Sequence, residues 1–319
     1  MILTRVIARR ILISIPLIFI VSTLTFVMES LIPGNAAQVI LGTQATPSAV
    51  AKLEKQLHLN QPLYVQYWRW LDGIVHGNFG RSLVNNQSVL SQLNERLPVT
   101  VAILVGALVV GLILGVAMGV FSALRPGRLS RGAIDSLSVF GIAMPTFWLA
   151  LLLVEWLAVV WRIFPSEGYT PPGTSFGSWM HDLILPWLAL GIGQTTYIAK
   201  QTRDGMSAAV SSAYAVGLQA AGIGRGSLVL KHALRNAAIP VVTVAGLLFV
   251  GALTGSVVVE QIFVLPGLGS LALSATATHD IPVIQGVAVY FTVIVVAVNL
   301  IVDIAYTLLD PRTRARLRA

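Results

Sequence analysis

Six stretches of the chain are almost free of charge, at 11–32, 99–123, 136–161, 183–200, 238–262 and 286–308. Each is near the ~20 apolar residues that carry a helix across a bilayer. Backbone polar groups must be satisfied internally in hydrocarbon, so these runs are predicted to be helices. Residues 33–98 pattern differently, with polar and apolar positions mixed. There "PSAVAKLEKQLHL" predicts a short amphipathic helix opened by Pro47 and Ser48. "LYVQYWRWLDGIV" predicts a second, with Tyr64, Tyr67, Trp68, Leu71 and Val75 on one stripe. Tyr and Trp favour bilayer interfaces, so this segment is expected to lie against the membrane surface. In the second span Gly111, Gly115 and Gly119 share a helix face, and the fifth carries "GALTG" from Gly251 to Gly255. Small residues at this spacing let helix backbones approach closely.

Charge orients the spans. With the N-terminus inside, fifteen of the 21 Lys and Arg fall on the cytoplasmic side: Arg5, Arg9, Arg10, Arg125, Arg128, Arg131, Lys200, Arg203, Arg225, Lys231, Arg235, Arg312, Arg314, Arg316 and Arg318. The other six are Lys52, Lys55, Arg69, Arg81, Arg96 and Arg162. Five of these sit in the long first loop, where charge has little say in orientation. Both termini are expected inside. The first residues mimic a signal peptide, but the run at 11–32 is bilayer-long and no small-x-small cleavage site follows, so it is read as a retained first span. Of 319 residues 55% are hydrophobic and 11% charged, against about 25% charged in a soluble domain. The net charge of +8 is then positive-inside bias, and no nucleic-acid partner is expected. The chain has no cysteine, which excludes disulfides and thiolate chemistry.

Motifs of soluble enzymes occur only as strings. "GTSFG" around Ser175 matches a nucleophile elbow but lacks the strand before it, with Pro171 and Pro172 instead. "GLGSLA" from Gly267 lacks the βαβ setting of a dinucleotide site. None of the four lysines follows a glycine, so there is no P-loop and ATP is not bound by that route. The five histidines are scattered, and no metal or cofactor is expected. Four polar residues within apolar spans are candidates to line a cavity: Glu155, Glu260, Asn299 and Asp303. The competing readings place Glu260 at the interface and bond Asp303 to a neighbouring helix.

The most informative segment, 201–237, lies between the fourth and fifth spans. "RDGMSAAVSSAYAVGLQAA" is Ala-rich and predicts a helix, with Tyr214, Leu218 and Ala221 on one apolar stripe. Gly222, Gly224 and Gly226 are expected to break it. "SLVLKHALRNAA" restarts a helix that feeds the fifth span, with Lys231 and Arg235 one turn apart. A sharp corner with an apolar stripe suits docking into a groove on another protein.

This segment resembles the EAA loop of binding-protein-dependent ABC importer permeases, in the form used by the dipeptide/oligopeptide permease family: a turn glycine, Gly222, then "KHALRNAAIP". Val216 stands where that motif has an acidic residue. "LIPGNAA", "GNFGRSL", "MPTFWLALLL", "VVVEQIFVLPGLGSLALSATATHDIPVIQG" and "NLIVDIAYTLLDPRTR" resemble the same family in the same order. The resemblance implies an all-α polytopic protein of the type I importer fold, with six transmembrane helices. Residues 1–32 would be the cytoplasmic end and first span, 33–98 an extracytoplasmic segment, 97–309 the permease core and 310–319 a basic cytoplasmic tail. It implies a bacterial cytoplasmic-membrane location and no catalysis by this chain. Its expected partners are a second homologous permease, two ABC ATPase subunits, an extracytoplasmic solute-binding protein and the bilayer. The cargo would be di- or oligopeptides, or another small solute such as a nickel chelate or glutathione. The ATPase-coupling residues would be Tyr214, Leu218, Ala221, Gly222, Gly224, Lys231, His232, Arg235 and Asn236.

Overall fold

A computed structural model describes residues 2–31, 36–124, 132, 136, 141 and 144–309. Arg125, Arg128, Arg131, much of the expected third span and the tail 310–319 lie outside the described residues. The helices are α1 (Ile2–Leu31), α2 (Ala36–Leu41), α3 (Pro47–Gln56), α4 (Leu63–Val75), α5 (Val89–Leu124), α6 (Thr146–Leu153), α7 (Phe176–Val210), α8 (Ala213–Ala220), α9 (Leu234–Ile262), α10 (Leu268–Ala277) and α11 (Ile281–Leu309). Among the described residues the only β-pairing is one isolated bridge, Arg81 to Ser88. Among the described residues four helices are long and apolar enough to cross a membrane: Ile7–Leu31, Val89–Leu124, Lys231–Ile262 and Ile281–Leu309. The expected fourth span, 183–200, lies inside the 35-residue α7. That helix buries Gln194, Thr195, Thr196 and Thr202, polar side chains that lower its hydropathy.

The chain divides into two compact units. The first is Met1–Arg9, Val101–Leu265 and Ala297–Ala319. Its centre is α7. A Cβ on Gly115 would lie 2.7 Å from the Cβ of Ile198, and one on Gly119 would lie 2.5 Å from that of Thr202. The glycine face of α5 therefore meets α7 backbone to backbone, as its spacing predicts. Gly251 behaves otherwise: nothing lies within 4 Å of its Cβ position, and only Gly255 of that pair makes a tight contact, 2.9 Å from Leu190. Trp187 donates from Nε1 to the carbonyl of Ala102 at 2.9 Å. Thr243 and Tyr306 join α9 to α11 through their hydroxyls.

The second unit is Arg10–Thr100 and Pro266–Val296. Here α4 packs on α1 through Tyr67, which is 7% exposed. Its hydroxyl lies 2.9 Å from Ser22 and 2.8 Å from Thr23, and its ring meets Phe19 and Phe26. Tyr67 thus leaves the expected stripe, while Tyr64, Trp68 and Val75 stay exposed. The α3 helix is opened by Thr46, whose hydroxyl accepts from Ala49 N at 3.3 Å, with Pro47 next. Asp280, 4% exposed, accepts from the Ser82 hydroxyl and, at 3.0 Å, from Leu83 N. This ties the turn before α5 to the corner between α10 and α11. His279 Nδ1 lies 3.9 Å from a Glu29 carboxylate oxygen at the same corner.

The enzyme-like strings resolve into helix starts. Ser175 is the N-cap of α7, accepting from Ser178 N at 3.3 Å. Gly267 precedes α10, and Leu268 N donates to Thr100 Oγ1 at 2.8 Å.

Candidate functional site

Segment 201–237 is built differently from its sequence expectation at two points. The Ala-rich run is not one helix. The first part continues α7 to Val210, and Ser211–Ser212 interrupts it. Ser212 then caps α8 by accepting from Ala215 N at 3.3 Å. A serine at this point offers the backbone a cap in place of a further helical turn, which is why the helix ends inside an Ala-rich run.

The second difference concerns the glycines. Only Gly222 of the three has a positive φ, +83°. Its N–H donates to Gln219 O at 3.0 Å, and Ile223 N donates to Leu218 O at 3.1 Å. This pair of bonds is a Schellman motif, and it needs the left-handed residue that glycine supplies without strain. Gly226 lies inside the helical turn Arg225–Ser227, so it does not break the chain. A π-helical segment, Leu228–Ala233, follows and runs directly into α9. Pro240 sits within α9.

The hairpin is anchored by a small apolar cluster. Met206 of α7 packs with Val229, Ala233 and Ala237, and Val120, Ala123, Ala209, Val210 and Leu234 surround them. A side-chain bond joins the two arms: Tyr214 Oη lies 3.1 Å from His232 Nδ1, with the rings edge-on at 6.1 Å. On α8 only Ala215 is buried. Tyr214 is 55% exposed and Ala221 and Gly222 are exposed, while Leu218 is half-buried. Gly224, Lys231, Arg235 and Asn236 are exposed and His232 is half-buried. Val216, which stands at the motif's acidic position, is 62% exposed on the side of α8 away from Tyr214. A two-turn helix with one buried residue touches α7 and the π-helical segment Leu228–Ala233 and leaves most of its surface exposed.

The four candidate cavity residues fall on different elements. Glu155 is exposed in a π-helical turn, Val154–Val160, that continues α6. Glu260 is 0% exposed, packed inside the protein in α9. Asn299 and Asp303 are half-buried one turn apart on α11. None of the four lines the main cavity of the first unit. That cavity, 490 Å³, lies among α6, α7 and α9, and its polar groups are Thr146, Gln194, Tyr197 and Thr254. Gln194 is 5% exposed, and neither amide atom has a hydrogen-bond partner. Its signal in the sequence was a lone amide in an apolar run.

Known proteins share this sequence and this architecture. Residues 107–315 match the family described as "Binding-protein-dependent transport system inner membrane component". Residues 3–104 match its N-terminal companion, "Binding-prot-dependent transport system membrane comp, N-term". A Brucella abortus (strain 2308) protein provisionally named a peptide transport system permease is 39% identical over 313 residues, 98% of this chain and 99% of that one. The oligopeptide transport system permease protein AppB of Bacillus subtilis (strain 168) is 36% identical over 309 residues, 96% of this chain and 98% of that one. The glutathione transport system permease protein GsiC of Escherichia coli (strain K12) is 35% identical over 306 residues, 96% of this chain and 97% of that one. Among solved structures, an inward-facing MetNI methionine ABC transporter has a chain of the same fold, with a TM-score of 0.56 at 18% identity, covering 69% of this chain and 97% of that one.

Proposed function

Because the chain belongs to the family of binding-protein-dependent transport system inner membrane components, we propose that it forms half of the pore of an ATP-driven importer for di- and oligopeptides. The chain is a multi-pass membrane protein. In this reading it crosses the bacterial cytoplasmic membrane six times with both termini inside, α7 and the incompletely described 136–161 supplying the two spans beyond the four long apolar helices. A second permease completes the pore, two ATPase subunits dock on the cytoplasmic face, and a solute-binding protein delivers cargo outside. ATP hydrolysis belongs to the partners. The peptide assignment rests on relatives named for peptide and oligopeptide transport. Glutathione, itself a small peptide, is the second reading, since one relative carries that name.

One observation carries the reading: α8 projects with a single buried residue, yet is tied through Gly222, the Tyr214–His232 bond and a continuous helix to α9. Motion imposed on α8 by an ATPase groove therefore reaches α9 without a flexible link. Packed elements with two discrete arrangements carry such motion, and π-helical turns like Leu228–Ala233 recur at functional sites. The mostly apolar 490 Å³ cavity beside α9 is where cargo would pass. The test is a Val216→Cys variant of this cysteine-free chain, co-expressed with its ATPase partners and treated with a bifunctional thiol reagent. The reading expects a covalent adduct with an ATPase subunit. An adduct absent while the complex co-purifies would remove α8 from the ATPase interface.

A further inference from the structure

A second cavity, 280 Å³, lies wholly within the second unit, between α4, the turn joining α3 to α4, and the start of α11. On α4 it takes Gln66, Arg69, Trp70 and Gly73, the i, i+3, i+4, i+7 face. Exposed Tyr64, Trp68 and Val75, with half-buried Leu71, are on the opposite side of that helix. The two faces therefore serve different surroundings. The aromatic stripe suits an interface with lipid, and the cavity face does not.

Three groups give the cavity its chemistry. Arg69 and His58 both stand in its wall, and neither bonds a carboxylate among the described residues. Asp72, near Arg69 in sequence, pairs instead with His76 at 3.8 Å. Trp70 presents a buried indole N–H that has no acceptor. Gln66 and Asn78 also stand in the wall, the Gln66 amide donating to the carbonyls of Leu59 and Gln61, and Phe26, Leu57, Leu83 and Ile281 supply its apolar part. His58 adds an independent sign. It adopts φ +59° just after α3, where it closes the helix with the backbone conformation that glycine takes most readily. An imidazole kept in that position is aimed by the turn rather than left free on a helix face.

Two cationic or ionisable donors and an indole N–H above an apolar floor recognise an anionic group on an apolar body. The volume is just below the ~300–1,000 Å³ of pockets that enclose drug-sized ligands. It holds about one residue, not an extended peptide. We infer that this cavity is a binding site for a small carboxylate bearing one aliphatic or aromatic group, held by Arg69, His58 and the Trp70 N–H. The site is independent of the importer reading, because it rests on one unit of this chain alone.

The absence of cysteine makes the test local. Leu83→Cys places one thiol in the wall, and Asn85→Cys places one on the exposed turn nearby. The full chain in membrane vesicles is treated with methanethiosulfonate reagents carrying either a sulfonate or a trimethylammonium. At Leu83→Cys the anionic reagent should react about tenfold faster than the cationic one, as a focused positive potential requires. N-acetylleucine should slow that labelling at concentrations on the order of 1 mM, and N-acetylleucinamide should not. Arg69→Gln should abolish both effects and Arg69→Lys should keep the charge bias. The rate at Asn85→Cys, unchanged across these variants, shows that the unit remains folded. Equal rates for the two reagents, or equal protection by the acid and its amide, would overturn the site. So would a Leu83→Cys thiol that reacts with neither reagent while Asn85→Cys reacts with both.

Discussion

Tyr214 and His232 are eighteen positions apart and meet across 3.1 Å, phenol oxygen to imidazole Nδ1, on either side of the Gly222 corner. They form a side-chain bond between the two arms of the hairpin that is proposed to couple the chain to its ATPase partners. A partly exposed bond of this kind is worth about 0.5–1.5 kcal/mol. Tyr214→Phe removes it and keeps the ring contact. Transport per ATP hydrolysed should fall by a factor of about 2–10 for such an energy, with membrane levels unchanged. Tyr214→Phe and His232→Ala combined should cost no more than the larger single change, because both remove the same bond. Additive losses in the coupling ratio would assign the two residues separate roles.

The glycines of α5 and α9 share a spacing but not an environment. Gly119→Val puts a branched side chain where a Cβ already lies 2.5 Å from Thr202 Cβ and 2.6 Å from the carbonyl of Ala199. Overpacking of this kind costs about 1–3 kcal/mol, and the melting temperature of the detergent-solubilised chain should drop. Gly251→Ala meets open space. It should leave the melting temperature unchanged or raise it slightly, since alanine favours helix by about 0.5–1 kcal/mol.

Asp280 holds the Ser82–Leu83 turn from the far end of the sequence. Asp280→Ala leaves the Leu83 N–H and the buried Ser82 hydroxyl without their acceptor, at a cost of about 1–3 kcal/mol. Limited proteolysis of the variant should cut first between Asn78 and Gln87. An unchanged digestion pattern would mean that the turn is held by its own backbone bonds, such as Ser82 N to Gln87 O at 2.9 Å.

Topology is testable with two thiols. Gln219→Cys on exposed α8 should label only from the cytoplasm, and Asn85→Cys only from outside. Ser82 would be a poor reporter because it is 3% exposed. Labelling of both positions from one side would refute the proposed crossing pattern.

How much of this was legible beforehand depended on what each signal measures. Apolar run length located the four long apolar helices among the described residues, because a bilayer imposes one length on every crossing helix. It could not show that α5 starts at Val89 or that α7 runs on to Val210, since helices continue past the hydrocarbon wherever caps are absent. The Ser211–Ser212 break was hidden by the Ala-rich composition around it, although Ser212 carries the capping hydroxyl. Gly222 was recognisable as a corner. That Gly226 would stay helical was not, because glycine permits both backbone hands and its neighbours decide. The burial of Glu260, the cavity wall at Gln194 and the opposite roles of Gly119 and Gly251 depend on which helices meet. That information lies in tertiary packing and not in the spacing along one helix.

The central claim is that α8 transmits the partners' ATP hydrolysis to α9 through a rigid corner at Gly222. The most direct measurement is transport and ATP hydrolysis, taken together on the reconstituted complex carrying Gly222→Val. The substitution meets no neighbour, as nothing lies within 4 Å of the Cβ position, so it acts only through the φ of +83°. Left-handed backbone costs a β-branched residue about 1–2 kcal/mol. The account predicts normal membrane insertion, ATP hydrolysis that persists, and transport that falls severalfold. Transport at the unsubstituted rate, with hydrolysis still coupled to it, would contradict the account.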